Sequence, residues 1–154
     1  IFSGGRDNPL VNSINIIDYI TIASTGNAID FGDLISIVNT HNPGGCSNSI
    51  RGLFGGGLFP SVINTIQYIT IASTGDAIYF GDLTSSRATV GAVANATRGV
   101  FAGGYNFPTS PTTIFNTIDF VNIASTGNAT NFGNLFTGRY LIAGCSDAHG
   151  GLGD

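Results

Sequence analysis

Short runs of β-branched and aromatic residues alternate with polar positions along this chain, and Gly, Asn, Ser and Pro separate the runs. In the stretch 116–124 the apolar side chains fall at alternate positions around Ile118 and Phe120, the period of a strand. Ser125-Thr126-Gly127-Asn128 follows, a tight turn built from residues that tolerate positive φ. Strand character resumes over 129–135. Upstream, 88–95 is small and apolar, suited to a crowded inner strand, and 97–102 is a short strand ending in Gly103-Gly104. Residues 88–135 therefore predict four strands. No window of about 11 residues carries a helical period, so an all-β fold is expected.

The pattern repeats. Ile22-Ala23-Ser24-Thr25-Gly26 recurs from Ile71 to Gly75 and from Ile123 to Gly127. Before it stand Asp18-Tyr19, Gln67-Tyr68 and Asp119-Phe120; after it stand Phe31-Gly32-Asp33-Leu34, Phe80-Gly81-Asp82-Leu83 and Phe132-Gly133-Asn134-Leu135. An aromatic and a Gly pair open each copy: Phe2 with Gly4-Gly5, Phe54 with Gly56-Gly57, Phe101 with Gly103-Gly104. Three tandem four-stranded repeats, about 1–52, 53–99 and 100–151, span the single domain 1–154. A unit of this kind cannot bury both faces of its sheet, so neighbours must stack. Phe31, Phe80 and Phe132 are expected to be buried at equivalent places between them. The segments behind the Gly pairs differ in length and gather Pro and Asn, which reads as variable loops.

Composition sharpens this. Only 9% of residues are charged, against roughly 25% in ordinary domains. The ionic set is five Arg and nine Asp, without Lys or Glu. With net charge −4 and no basic cluster, nucleic acid is not an expected partner. No apolar run of about 18 residues is present, so no membrane insertion is expected. The chain does not start with Met and is read as part of a longer or processed polypeptide. Cys46 and Cys145 occupy the same position in two copies and are expected to be small buried hydrophobes, not a disulfide.

Four strands, a Gly pair and a period near 50 residues resemble the kelch-type β-propeller blade. The resemblance is carried by Arg87 and Arg139, by the three Gly pairs, by Tyr19, Tyr68 and Phe120 in the third strand, and by Phe31, Phe80 and Phe132 where kelch repeats usually hold Trp. Val38 departs from the expected Arg. A Gly pair followed by wording close to NTIDYITIASTGNATDFGDLT also looks like a degenerate repeat of marine bacteriophage virion proteins, tail and fibre types included. The resemblance implies kelch-like blades and a virion or extracellular location. Propellers hold about four to eight blades, so three copies imply part of a larger or oligomeric propeller.

Candidate chemistry is sparse. Asp30-Phe31-Gly32 spells a kinase magnesium motif but has no Lys or nucleotide loop beside it, and it becomes Tyr79-Phe80-Gly81 and Asn131-Phe132-Gly133 elsewhere. Gly55-Gly56-Gly57 lacks the helix and Lys of a phosphate loop. His41 and His149 bring no companion acid, nucleophile or ligand set. The series Asp33, Asp82, Asn134 and Asp18, Gln67, Asp119 mix carboxylates with amides, which favours hydrogen bonding over calcium. Arg51, Arg87, Arg98 and Arg139 are expected to bond carbonyls of the next repeat; a ring of cations for an anion or sugar is the alternative. The triplets Asn95-Ala96-Thr97 and Asn128-Ala129-Thr130 match the glycosylation sequon, a frequent coincidence in so Asn- and Thr-rich a chain.

The reading is therefore a non-enzyme: no catalytic residues, no metal site, no cofactor. It is expected to be a structural or interaction module of an extracellular particle, a phage tail or fibre-associated virion protein, whose partners are other protein chains. The alternative is a carbohydrate-binding, lectin-like propeller reading host surface glycans. Its binding residues would be Phe59, Tyr105, Asn106 and Phe107 in the variable loops, stacking on and hydrogen-bonding a sugar.

Overall fold

The computed structural model describes residues 1–6, 13–35, 42–58, 60–107 and 111–146. Among them there is no helix, and eleven strands form three antiparallel sheets. The first sheet holds β1 (Phe2–Ser3), β2 (Ile16–Tyr19) and β3 (Ile29–Asp33). The second holds β4 (Gly44–Ser47), β5 (Arg51–Gly55), β6 (Thr65–Thr70) and β7 (Ile78–Asp82). The third holds β8 (Gly91–Ala94), β9 (Arg98–Ala102), β10 (Thr117–Asn122) and β11 (Thr130–Asn134). Each sheet is a meander in chain order, the arrangement that short hairpin connections allow. The four strands read from 88–135 are β8 to β11. Among the described residues the first sheet has three strands rather than the expected four.

Equivalent strands pair in equivalent register. Ile66 faces Gly81 and Ile118 faces Gly133, as Ile17 faces Gly32. The register then slips at the same step in all three sheets, between Ile17 and Asp18, Ile66 and Gln67, Ile118 and Asp119. The extra residue lies on the last strand of each sheet, Phe31, Phe80 or Phe132, which no middle-strand residue opposes, and a bulge of this kind bends the strand that carries it.

On β10 the burial alternates, with Asp119 and Val121 buried and Ile118 and Phe120 half-buried. β6 is covered on both faces, Ile66 on one and Gln67 and Ile69 on the other, because a sheet stacks on either side of it. One core joins Leu53, Ile66, Phe80 and Leu83 of the second sheet to Phe101, Val121, Ile123 and Ala129 of the third. A second joins Ile17, Phe31 and Leu34 of the first sheet to Phe54, Ile69 and Ala77 of the second. Ile17, Phe31, Leu34, Phe54, Ile69 and Ala77 of the second core are the repeat equivalents of Ile66, Phe80, Leu83, Phe101, Val121 and Ala129 of the first.

The turn residues have a different role from the hairpin anticipated for Ser125 to Asn128. The chain turns earlier, with Ser24, Ser73 and Ser125 donating their N–H back to Thr21, Thr70 and Asn122. The segment that follows crosses to the preceding sheet. Gly75 and Ala77 donate their N–H to the carbonyls of Phe31 and Asp33 at 2.7 and 2.8 Å, and Gly127 and Ala129 to those of Phe80 and Asp82, both at 2.8 Å. The backbones approach so closely that a Cβ on Gly32 or Gly81 would collide with the carbonyl of Gly75 or Gly127.

Candidate functional site

Side chains complete the contact between sheets. The Asp76 carboxylate accepts the Asp33 N–H at 3.0 Å, and the Asn128 carboxamide oxygen accepts the Asp82 N–H at 3.1 Å. Behind them the middle-strand Gln67 and Asp119 act. The Gln67 side-chain oxygen accepts the Ile35 N–H at 2.9 Å, and Asp119 accepts the Thr84 N–H at 3.0 Å and its hydroxyl at 2.9 Å. The hydrogen-bonding role expected for this series thus holds at Gln67 and Asp119. Asp76 and Asn128 had not been singled out, because a turn residue reads locally as turn chemistry.

Arg87 lies in the connector between the second and third sheets. Its guanidinium reaches the Asp119 carboxylate at 2.8 Å, the Thr117 carbonyl at 3.1 Å and the Phe101 carbonyl at 3.4 Å. Arg51, on the second sheet, donates to the Ile123 carbonyl beside the third at 2.8 Å, and its guanidinium lies over Tyr68. Both match the expected bonding of carbonyls in the next repeat. Arg98 lies over Phe120, and Arg139 is exposed.

Two outer faces remain uncovered. Phe31 and Phe80 are 5% and 2% exposed, but Phe132, expected to be buried like them, is 56% exposed. The correction has a simple cause: no sheet lies beyond the third to cover it among the described residues. At the opposite end, Ile20 is 40% exposed where its equivalents Ile69 and Val121 are 2% and 3%. Phe2 and Ile22 are open too, although their equivalents Phe101 and Ile123 are fully buried. Each face is thus apolar for a reason that two internal seams already display.

The cysteines fall on the same pattern. Cys46 packs against the core between the second and third sheets, its sulfur directly over Gly99. Burial pushes its thiol up to about 12, because a thiolate there would lose its hydration. Cys46 is half-buried and Cys145 exposed, where both were expected to be buried. Both are free.

The variable loop of the third repeat builds a distinct feature. Tyr105 and Tyr140 meet edge to face, ring centroids 5.1 Å apart, and Phe107 tilts against Tyr105 at 6.4 Å. With Thr112 and Ile114 they line a cavity of about 300 Å³. Tyr105 and Phe107 are therefore brought together as expected, while Tyr140, 35 positions after Tyr105 by their numbering, joins them only in three dimensions. Asn106 is engaged in the loop itself: its carboxamide oxygen accepts the Thr113 N–H, and its own N–H bonds the Thr113 carbonyl. Phe59, His41, His149 and Val38 lie outside the described residues. Among the described residues no three His, Cys or Asp side chains are grouped to hold a metal ion, and no helix is long and apolar enough to cross a membrane.

No family model matches this chain, and no curated protein matches it. The likeness to kelch-type repeats rests on the residues quoted for it.

Proposed function

We propose that this chain is a structural and interaction module of an extracellular particle, a phage virion protein of the tail or fibre-associated kind, built of kelch-like β-propeller blades. One observation carries the reading. The same seam is made twice within the chain, and both outermost faces present its unpaired halves, with Phe132 open at one end and Phe2, Ile20 and Ile22 at the other. Apolar surface arranged this way is a protein-binding surface. The low share of charged residues, 9%, agrees with a module whose work is contact. The test is to purify phage particles from the source of this sequence and label them with antibody against the chain. Labelling on the tail or fibres is expected; particles devoid of the chain would overturn the assignment.

A second reading is favoured by the aromatic cluster. Tyr140 and Phe107 present rings that are 46% and 55% exposed around the 300 Å³ cavity, and exposed aromatic faces with polar tips suit stacking on a sugar. A glycan array probed with the chain and with Tyr105→Ala and Tyr140→Ala variants tests it. Binding lost in both variants supports a lectin-like role; an array without binding removes it.

A further inference from the structure

We propose that the cavity formed by Tyr105, Phe107 and Tyr140 takes the trimethylammonium group of a small choline-type ion. The proposal rests on the second reading only in treating this cavity as a ligand site, and it names a different ligand chemistry.

Backbone hydrogen bonds hold the rings in place before any ligand arrives. Tyr105 exchanges both of its backbone bonds with Ala88, at 2.9 and 3.1 Å, and is bridged on its other side by Ile114. Asn106 closes the loop on Thr113, through its backbone N–H at 3.2 Å and through its carboxamide oxygen, and so positions the adjacent Phe107. Tyr140 follows Arg139, whose carbonyl accepts the Gly104 N–H at 2.9 Å. A site ordered in this way loses little further freedom when a ligand binds.

The three rings lie in different planes. Tyr105 and Tyr140 stand at 64° to each other with centroids 5.1 Å apart, and Tyr105 and Phe107 at 48° and 6.4 Å. They wall a cavity of about 300 Å³ from several sides instead of offering one flat platform. Ligand sites run from about 300 to 1,000 Å³, so this one suits a compact group.

The lining selects a cation without N–H groups. Its side-chain hydrogen-bonding groups are confined to the hydroxyls of Tyr105, Thr112 and Tyr140, with no amide and no charged side chain. The Asn106 carboxamide oxygen is occupied within the loop. A sugar brings several hydroxyls, and each that leaves water without a partner costs free energy. A primary ammonium carries three N–H donors and a tight hydration shell, and meets the same penalty. A quaternary ammonium has no N–H to satisfy, and its charge is drawn to the negative face of an aromatic ring.

The chain already uses this attraction elsewhere. Arg51 lies 4.6 Å from the Tyr68 ring, Arg98 5.1 Å from Phe120 and Arg87 5.8 Å from Phe115. Among the described residues no such cation lies over Tyr105, Phe107 or Tyr140. Arg139, next to Tyr140 in sequence, lines a different cavity with Leu135 and Ile142. The net charge of −4 favours the approach of a cation.

Proton NMR titration of the whole chain with choline chloride tests this, with circular dichroism to verify that each variant keeps its β spectrum. The N-methyl resonance should shift upfield and saturate, because ring faces shield protons held over them. The neutral isostere 3,3-dimethylbutan-1-ol, with carbon in place of the charged nitrogen, should bind about tenfold more weakly, the scale of one or two cation–π contacts. Phe107→Leu and Tyr140→Leu, both at exposed positions, should each weaken choline binding by about tenfold. Tyr140→Phe keeps the ring and should keep the binding. Absence of a saturable shift overturns the proposal, as does equal binding of the isostere or loss of binding in Tyr140→Phe. Retention on phosphatidylcholine vesicles without binding of free choline overturns it in favour of a membrane surface. Binding of glucose or galactose without choline also overturns it but leaves the second reading standing, whereas that reading falls on the glycan array alone.

Discussion

Arg87 and Asp119 meet at 2.8 Å with neither side chain reaching solvent, and this pair ties the connector behind the second sheet to the middle strand of the third. The carboxylate also holds Thr84, while Arg87 Nε has no partner among the described residues. Burial lowers the Arg87 pKa from its ordinary value, and the Asp119 charge opposes that shift. Removing one partner leaves a buried charge unpaired, which costs about 3–5 kcal/mol. Arg87→Val or Asp119→Gln alone should each lose stability on that scale. The double variant places here the residue types, Val and Gln, that stand at the equivalent sequence positions 38 and 67. It should be more stable than the sum of the single losses implies, by roughly 1–3 kcal/mol of coupling. Urea denaturation of the four proteins measures this; additive losses would contradict it.

Phe80 and Phe132 are the same residue of two repeats in different surroundings. Phe80→Ala should cost about 3–5 kcal/mol, the usual loss for a packed core Phe. Phe132 is exposed, so Phe132→Ala should cost less than about 1 kcal/mol in dilute monomer. Reversible melts at low concentration give both values. Equal losses would mean that the third sheet is covered.

Gly81 is needed for what its neighbour occupies. A Cβ there meets the Gly127 carbonyl and the Asn128 nitrogen, backbone atoms that cannot swing away. Gly81→Ala should cost about 1–3 kcal/mol by forcing the two sheets apart. Gly45 is exposed, and a Cβ on it makes ordinary contact with the Phe54 ring at 3.7 Å, so Gly45→Ala should fall within about 0.5 kcal/mol of wild type. Denaturant midpoints of the two variants compare them directly.

The two thiols should react differently. In dilute native protein an aromatic disulfide reagent should label exposed Cys145 quickly and half-buried Cys46 more slowly, since reaction requires an accessible thiolate. The folded Cys46 thiol is raised from 9.0 to about 12, so the unfolded chain releases this proton first as pH rises. Its contribution to stability is complete below pH 9 and is lost between about 9 and 12. Cys46→Ser should flatten the stability profile in that window. Alkaline denaturation curves of the two proteins show whether it does.

The strands of the third sheet and the three-fold repeat were legible in the residues, because side-chain alternation and Gly placement are local properties. That is why 88–135 reads as four strands and is found as β8 to β11. The seam was only half legible. Gln67 and Asp119 stood out as repeated hydrogen-bonding positions, but their donors Ile35 and Thr84 lie 32 and 35 residues away, and no local pattern encodes such a partner. The same holds for Tyr140 against Tyr105. Burial was the least legible property: Phe31, Phe80 and Phe132 have near-identical neighbours in sequence, yet two are buried and one is open. Sequence alone determined that each repeat makes a sheet with two apolar faces. Which faces are covered was decided by tertiary structure, because burial depends on whether another sheet lies against them.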